Sequence, residues 1–162
     1  MVQEAVNESQ PRGYDAWIAV VRNYQKCFRL LSRLLEPLGL SVAQHEVLLT
    51  IGRSQGITQQ ELAERLLVAK SNISGLLQRL EMQRLVSREP HPDDRRSKRI
   101  LLTPKGQRVL LRSAALQARV VEMMMGTLDD QELALNREFS RRVGAVLDSR
   151  LREFDGAGRN AG

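Results

Sequence analysis

The sequence predicts a mainly α-helical fold with one small β-hairpin, in which long helices frame a compact helical pair. Three observations carry that expectation. Apolar residues from Tyr14 to Leu38 recur at three- and four-residue steps, the period of an amphipathic helix. Ser41 with Gln44, and Thr58 with Glu61, have the spacing of capping boxes and mark two further helix starts. Two apolar runs, 85–89 and 98–102, bracket a Pro/Asp/Arg loop as paired strands do.

The first helix carries Tyr14, Trp17, Ile18, Val21, Tyr24, Phe28, Leu31, Leu34 and Leu35 on its apolar side and stops at Pro37 and Gly39. Ser41 opens the second, which draws on Val42, Leu48, Leu49 and Ile51 and breaks over 52–56. Thr58 starts a short helix through Leu62, Ala63 and Leu66. After Leu67 and Val68 a helix from about Lys70 to Gln83 turns Ile73, Leu76, Leu77 and Leu80 inward. Thr103 caps the helix that follows the hairpin. Pro104 takes its first position, where a missing N–H costs nothing. That helix runs to about Met125. Gly126 breaks it, and Thr127 or Asp129 starts a last helix to about Phe154, with Phe139, Val143, Val146, Leu147 and Leu151 on one face. A helical pair followed by a hairpin, between helical arms, is the order of a winged helix-turn-helix. The expected organisation is a single domain, 1–162, with arms at 14–36 and 105–154, a lobe at 41–103, and frayed ends at 1–12 and 155–162.

Charge narrows the function. The chain carries a net +6, and the stretch from Arg65 to Arg108 holds 11 Lys/Arg against 4 Asp/Glu, so the positive field is local to the lobe. Such a field favours a polyanionic partner. No nucleophile–base pair or phosphate loop is present, which argues against an enzyme. A lone cysteine, Cys27, excludes an intrachain disulfide and fits a reducing compartment. Cys27, His45 and His91 share no metal-ligand spacing, so neither a metal nor another cofactor is expected. With no apolar span or secretory signal, the expected location is the cytoplasm of a bacterium or archaeon, nucleoid-associated when bound to DNA, without a membrane partner.

A helix that enters a DNA groove must show small or polar side chains outward. With 73, 76, 77 and 80 inward, the 70–79 segment leaves Lys70, Ser71, Ser74, Gly75, Gln78 and Arg79 outward, with Asn72 beside them. Thr58 and Gln59, at the start of the preceding helix, join the candidate set. A solvated helix face explains the same residues, but the next loop favours double-stranded DNA. It places Arg95, Arg96, Lys98 and Arg99 within five residues on a tight hairpin, where a guanidinium can enter the minor groove. Asp94 is read as a bidentate brace for Arg96.

Leu62-Ala63-Glu64-Arg65-Leu66, Arg79-Leu80-Glu81, Leu85-Val86, Pro92-Asp93-Asp94-Arg95-Arg96 and Leu102-Thr103-Pro104-Lys105-Gly106 together resemble the MarR family (multiple antibiotic resistance regulators). So does Leu38-Gly39-Leu40-Ser41 with Gln44. The resemblance covers roughly Leu30 to Gln107. It implies a homodimer built from the terminal helices, binding a pseudo-palindromic operator, usually as a repressor released by a small ligand or by thiol oxidation. Three positions depart from the family pattern. His91 stands where the wing often begins with Asp, Arg84 where a helix-ending Gly is usual, and Ala69 where Ser commonly caps the recognition helix.

For regulation, the sequence expectation is a small aromatic or amphipathic anionic effector near Trp17, Tyr24 and His45, although core packing explains the same aromatic cluster. A redox switch at Cys27 is the alternative, since Lys26 and Arg29 lie close in sequence. A packed cysteine fits the mid-helix position better. A nonspecific nucleoid protein and a winged-helix protein-interaction module are the remaining alternatives. Sequence-specific footprinting separates the regulator from both.

Overall fold

The computed structural model describes residues 10–92 and 97–159, with the backbone alone at Lys70 and at 155–159. In chain order it contains α1 (Tyr14–Leu35), a 3-10 turn (Glu36–Leu38), α2 (Val42–Arg53), β1 (Ile57–Thr58), α3 (Gln59–Arg65), α4 (Lys70–Met82), β2 (Val86–Pro90), β3 (Lys98–Leu102), α5 (Pro104–Met125) and α6 (Asp130–Arg159). The chain divides into two compact units, the first through Val120 and the second from Val121. The mainly helical fold with a small wing is as the sequence predicts.

The first unit is organised by local chemistry legible in the sequence. Both capping boxes form. The Gln44 N–H donates to Ser41 Oγ at 3.2 Å, and the Ser41 N–H donates to Gln44 Oε1 at 2.9 Å. The Thr58 N–H donates to Glu61 Oε2 at 2.8 Å, and the Glu61 N–H donates to Thr58 Oγ1 at 3.3 Å. These contacts satisfy amide donors that a helix start leaves without partners. Leu35, Val47, Leu48, Ile51, Leu62, Ile73, Leu77 and Leu80 are fully enclosed and form the centre of the core.

The sheet has one strand more than the expected hairpin. β1 pairs antiparallel with β3, giving the order β1-β3-β2, with Ile57 opposite Ile100 and Val86 opposite Leu102. All four of these side chains are buried. A two-residue strand shows no alternation of its own, so only its partner reveals it. The second strand also begins one residue later than expected. Leu85 is taken up by the end of α4, where its N–H donates to Leu80 C=O at 2.9 Å and the Arg84 N–H donates to Glu81 C=O at 2.8 Å.

That pair of bonds is a Schellman ending, and it forces Arg84 to a φ of 58°. α3 ends the same way. The Val68 N–H reaches Ala63 C=O, the Leu67 N–H reaches Glu64 C=O, and Leu67 has a φ of 52°. Both members of the helical pair therefore close on side-chain-bearing residues where glycine is usual, each at a cost of roughly 1 kcal/mol.

α1 is only partly enclosed. Leu31 and Leu35 are buried, whereas Trp17, Val20, Tyr24 and Phe28 are exposed. In the second unit Asp129, rather than Thr127, opens α6. The Glu132 N–H donates to Asp129 Oδ1 at 2.8 Å, and the Asp129 N–H donates to Glu132 Oε2 at 2.9 Å. α6 runs to Arg159, five residues past the expected end at Phe154. The expected fraying falls mostly outside the described residues at the N-terminus. At 155–159 the backbone is helical.

Candidate nucleic-acid interface

α4 presents two chemically distinct faces. Ile73, Leu77 and Leu80 are fully enclosed and Leu76 is half-buried, while Ser71, Asn72, Ser74, Gln78 and Arg79 are exposed. Ala69 caps the helix without a side-chain bond, at a cost of about 1 kcal/mol against Ser or Asp. Gly75 sits on the outward side. Among the described residues a Cβ built there would meet only Arg79 Nη2, at 3.9 Å, so no packing among them requires glycine at this position. The Arg79 Nε–H donates back to Gly75 C=O at 3.2 Å, which lays the guanidinium along its own helix. The Lys70 backbone opens α4, and its side chain lies outside the description.

The remaining candidates divide by how they are already used. Thr58 is half-buried, and its hydroxyl serves the α3 cap, donating to Glu61 Oε2 at 2.8 Å. The Thr58 N–H, then its hydroxyl, hold the Glu61 carboxyl below its ordinary pKa. Gln59 follows, half-buried, at the first position of α3. Lys98 is exposed at the start of β3. Arg99, expected among the outward cations, is instead held inside the wing. It lies opposite Glu89 in the strand register, and its Nη2 donates to Glu89 Oε2 at 2.6 Å. Asp94, Arg95 and Arg96, with the expected Asp94–Arg96 brace, lie outside the described residues.

Two features that hold α4 in place were not read from the sequence. Arg88 of β2 lies 3.1 Å from Glu81 Oε2 and ties the wing to the recognition segment. Gln83 closes the other end. Its Nε2 donates to Gly39 C=O at 3.1 Å, its Oε1 accepts from Gln44 Nε2 at 3.3 Å, and its C=O accepts from Lys105 Nζ at 2.9 Å. The C-terminus of α4 is thereby tied to the turn before α2 and to the first turn of α5. Long-range pairs between polar side chains have no periodic signature, so nothing in the sequence marks them.

The three residues expected around an effector stand on two helices, Trp17 and Tyr24 on α1 and His45 on α2. His45 is fully enclosed, with Nδ1 3.0 Å from Ser113 Oγ and Nε2 3.3 Å from Gln117 Oε1. Both ring nitrogens are occupied by α5, which makes His45 a buried strut between α2 and α5. Tyr24 lines a depression of about 560 Å³ with Phe28 and Arg29, and neither Trp17 nor His45 lines it. Cys27 is half-buried on α1.

Burial lowers the His45 pKa from its ordinary value, partly offset by the bond to Gln117. A base that is harder to protonate in the folded state binds fewer protons than in the unfolded chain. Its contribution to stability is therefore complete above about pH 6.5 and is lost as pH falls towards the depressed folded value. Urea denaturation is expected to show stability falling between pH 7.5 and pH 5, with a shallower fall in His45→Gln. An equal slope in both proteins would remove His45 from the acid response.

The fold matches that of known proteins. The MarR family model matches residues 38–97. The transcriptional regulator HosA of Escherichia coli O111:H- is 30% identical over 104 residues, covering 64% of this chain and 77% of HosA. The chain belongs to the MarR family. Apo MarR from E. coli is 30% identical with a TM-score of 0.67, the match covering 83% of this chain and 97% of that one. A mutant MarR complexed with operator DNA has a TM-score of 0.73 at 26% identity, covering 83% and 99%. CouR from Rhodococcus jostii RHA1, bound to p-coumaroyl-CoA, has a TM-score of 0.74 at 26% identity, covering 83% and 95%. The match to an uncharacterised HTH-type regulator of Bacillus cereus, at 35% identity, spans 60% of this MarR-family chain and 64% of that relative.

Proposed function

We propose that the chain is a homodimeric, sequence-specific DNA-binding repressor that releases its operator on binding a small ligand. The outward face of α4 carries the reading. Ser71, Asn72, Ser74, Gln78 and Arg79 are exposed around a mid-helix glycine where, among the described residues, an added Cβ would meet only Arg79 Nη2. Mid-helix glycine costs about 1 kcal/mol relative to alanine, and a face that must approach a groove closely accounts for keeping it. In this reading Ser74 and Gln78 read bases, and Ser71 and Arg79 read bases or phosphates. Lys70 and Lys98 position the phosphate backbone, as do Thr58 and Gln59 at the start of α3. MarR solved with operator DNA supports the assignment, and CouR solved with p-coumaroyl-CoA supports a ligand-responsive member.

The dimer is proposed to form through 14–36 and 105–154, with 41–103 as the DNA-binding lobe. Support comes from the exposed apolar side chains of α1 and of α6, where Phe139, Val143, Val146, Leu147 and Leu151 remain open. A two-fold pair would set two recognition helices about 34 Å apart, one turn of DNA.

Gly75→Ala separates interface from scaffold by sign. It is expected to stabilise the fold by up to about 1 kcal/mol and to weaken binding to a selected operator at least tenfold. Selection from random duplexes followed by gel shift and thermal denaturation reads both. An alanine variant that binds as tightly as wild type would remove α4 from the groove. A second sign test concerns the wing. Arg96→Ala is expected to cost about 1–3 kcal/mol of binding, as for a groove-inserted arginine. Asp94→Ala should also weaken binding, although it removes a negative charge. Tighter binding by Asp94→Ala would defeat the brace.

A further inference from the structure

α1 carries a second positive surface that the recognition helix and wing do not explain. Arg22, Lys26, Arg29 and Arg33 recur at steps of four, three and four, so they form one ridge about 16 Å long. All four are exposed, and among the described residues none of them has a hydrogen bond or ion pair. No acidic residue lies between Asp15 and Glu36. Like charges at these spacings destabilise a helix, so the row is kept at a cost in stability. The arginines of α6 behave differently, with Arg141 and Arg142 on Glu138 and Arg150 on Glu153.

The ridge stands apart from the groove-reading surface. At about 100° per residue the four cations fall within a ~60° arc, nearly opposite the Trp17–Tyr24–Leu31–Leu35 side. A second copy packed on that apolar side would leave the ridge open. Arg33, at one end of the ridge, lies in the last turn of α1, and the turn that follows is tied to the far end of α4. Gln83, which ends α4, donates from Nε2 to Gly39 C=O at 3.1 Å. α4 is about 20 Å long, and a recognition helix reads bases from its N-terminal end, here Lys70, Ser71 and Ser74. The ridge therefore starts at the end of the lobe that lies away from the groove.

We propose that the α1 ridge is a second duplex-binding surface, which holds a separate DNA segment by its phosphate backbone while α4 holds the operator. Along ~16 Å of duplex one strand presents about five phosphates, one per ~3.4 Å. A straight row of four cations on a rigid helix matches that length, whereas a small anion would engage one cation and leave three unanswered. Three of the four are arginines, whose forks suit phosphate oxygens. Between Arg22 and Arg33 the arc holds no apolar side chain, so a membrane surface would have nothing to bury. Phosphate contacts carry no sequence information, so the second segment needs no operator of its own. This surface goes beyond the operator reading above and rests on it only for its use, the joining of an operator to another stretch of DNA.

The test is a bridging assay with the full chain. Protein is bound to an immobilised operator duplex, chosen by selection from random sequence, and capture of a labelled duplex lacking that operator is measured. Wild type is compared with Arg22→Gln/Lys26→Gln/Arg29→Gln/Arg33→Gln. The control, Arg137→Gln/Arg141→Gln/Arg150→Gln/Arg152→Gln, removes the same charge from exposed positions of α6. Wild type and the control are expected to capture the second duplex, and the ridge variant to capture it at least tenfold less, with operator affinity within about twofold in all three. Four phosphate contacts also predict roughly a 100-fold loss of capture between about 50 and 200 mM salt. The ridge variant should melt no lower than wild type, because its substitutions remove repulsion along α1. No capture by wild type, undiminished capture by the ridge variant, or an equal loss in the control overturns the surface. Operator affinity falling in step with capture overturns it in favour of a longer contact with a single duplex. Tighter capture of polyglutamate than of the duplex overturns it in favour of an acidic protein. If selection returns no preferred operator but two unrelated duplexes are still joined through the ridge, the surface stands and the sequence-specific repressor fails.

Discussion

Replacing Gly106 with alanine is expected to destabilise the first unit by about 3 kcal/mol, the upper end of the typical cost of overpacking a core. A Cβ at this position would lie 1.9 Å from Leu85 O and 2.9 Å from Leu85 C, both backbone atoms that no rotamer can move. That carbonyl is already engaged, accepting from the Thr103 N–H at 3.0 Å. The Gly106 N–H donates to Thr103 Oγ1 at 3.0 Å, and the Thr103 hydroxyl donates to Arg84 C=O at 2.7 Å. The first turn of α5 is therefore laid directly on the left-handed ending of α4, and alanine must push the two apart. For a chain of this size the loss corresponds to a midpoint lowered by roughly 6–12 °C. A thermal midpoint within a degree or two of wild type would mean that this junction yields without cost.

Leu147→Glu is expected to leave a monomer at about 10 μM and to reduce operator affinity at least ~100-fold, or about 2.7 kcal/mol. Leu147 is 57% exposed on α6, and it lines a depression of about 360 Å³ with Phe139, Arg142, Val143 and Val146. A cluster of exposed apolar side chains of this kind marks an interaction site. Glutamate forms helices as readily as leucine, so α6 itself should persist. In a two-fold interface the substitution places two uncompensated charges where apolar surface was to be buried. Sedimentation equilibrium and gel shift read the two consequences. A variant that stays dimeric would move the interface elsewhere.

The element order was legible in the sequence because each helix start is a local, short-range event. Ser41–Gln44, Thr58–Glu61 and Thr103–Gly106 each specify their own terminus through bonds spanning three residues, and the structure makes those bonds. The inward set of α4 was legible for a similar reason, since its period follows from helix geometry. His45 shows the limit of such reasoning. On the sequence it is a polar residue near an expected pocket. Ser113 and Gln117, 68 and 72 residues away, make it a buried strut. On the sequence Arg99 is one of the outward cations of the wing, and the strand register places Glu89 opposite it.

By itself, then, the sequence determined which segments become helices, where they start, and which sides of α4 and α6 are apolar. These depend on caps and periodicity, whose range is one or two turns. Only the tertiary structure decided which polar groups are spent inside the lobe, such as Gln83, Arg88, Arg99 and His45, and which remain open, such as Ser71 and Gln78. It also decided the third strand and the need for glycine at 106, because both depend on backbone approach between segments that chain distance does not encode.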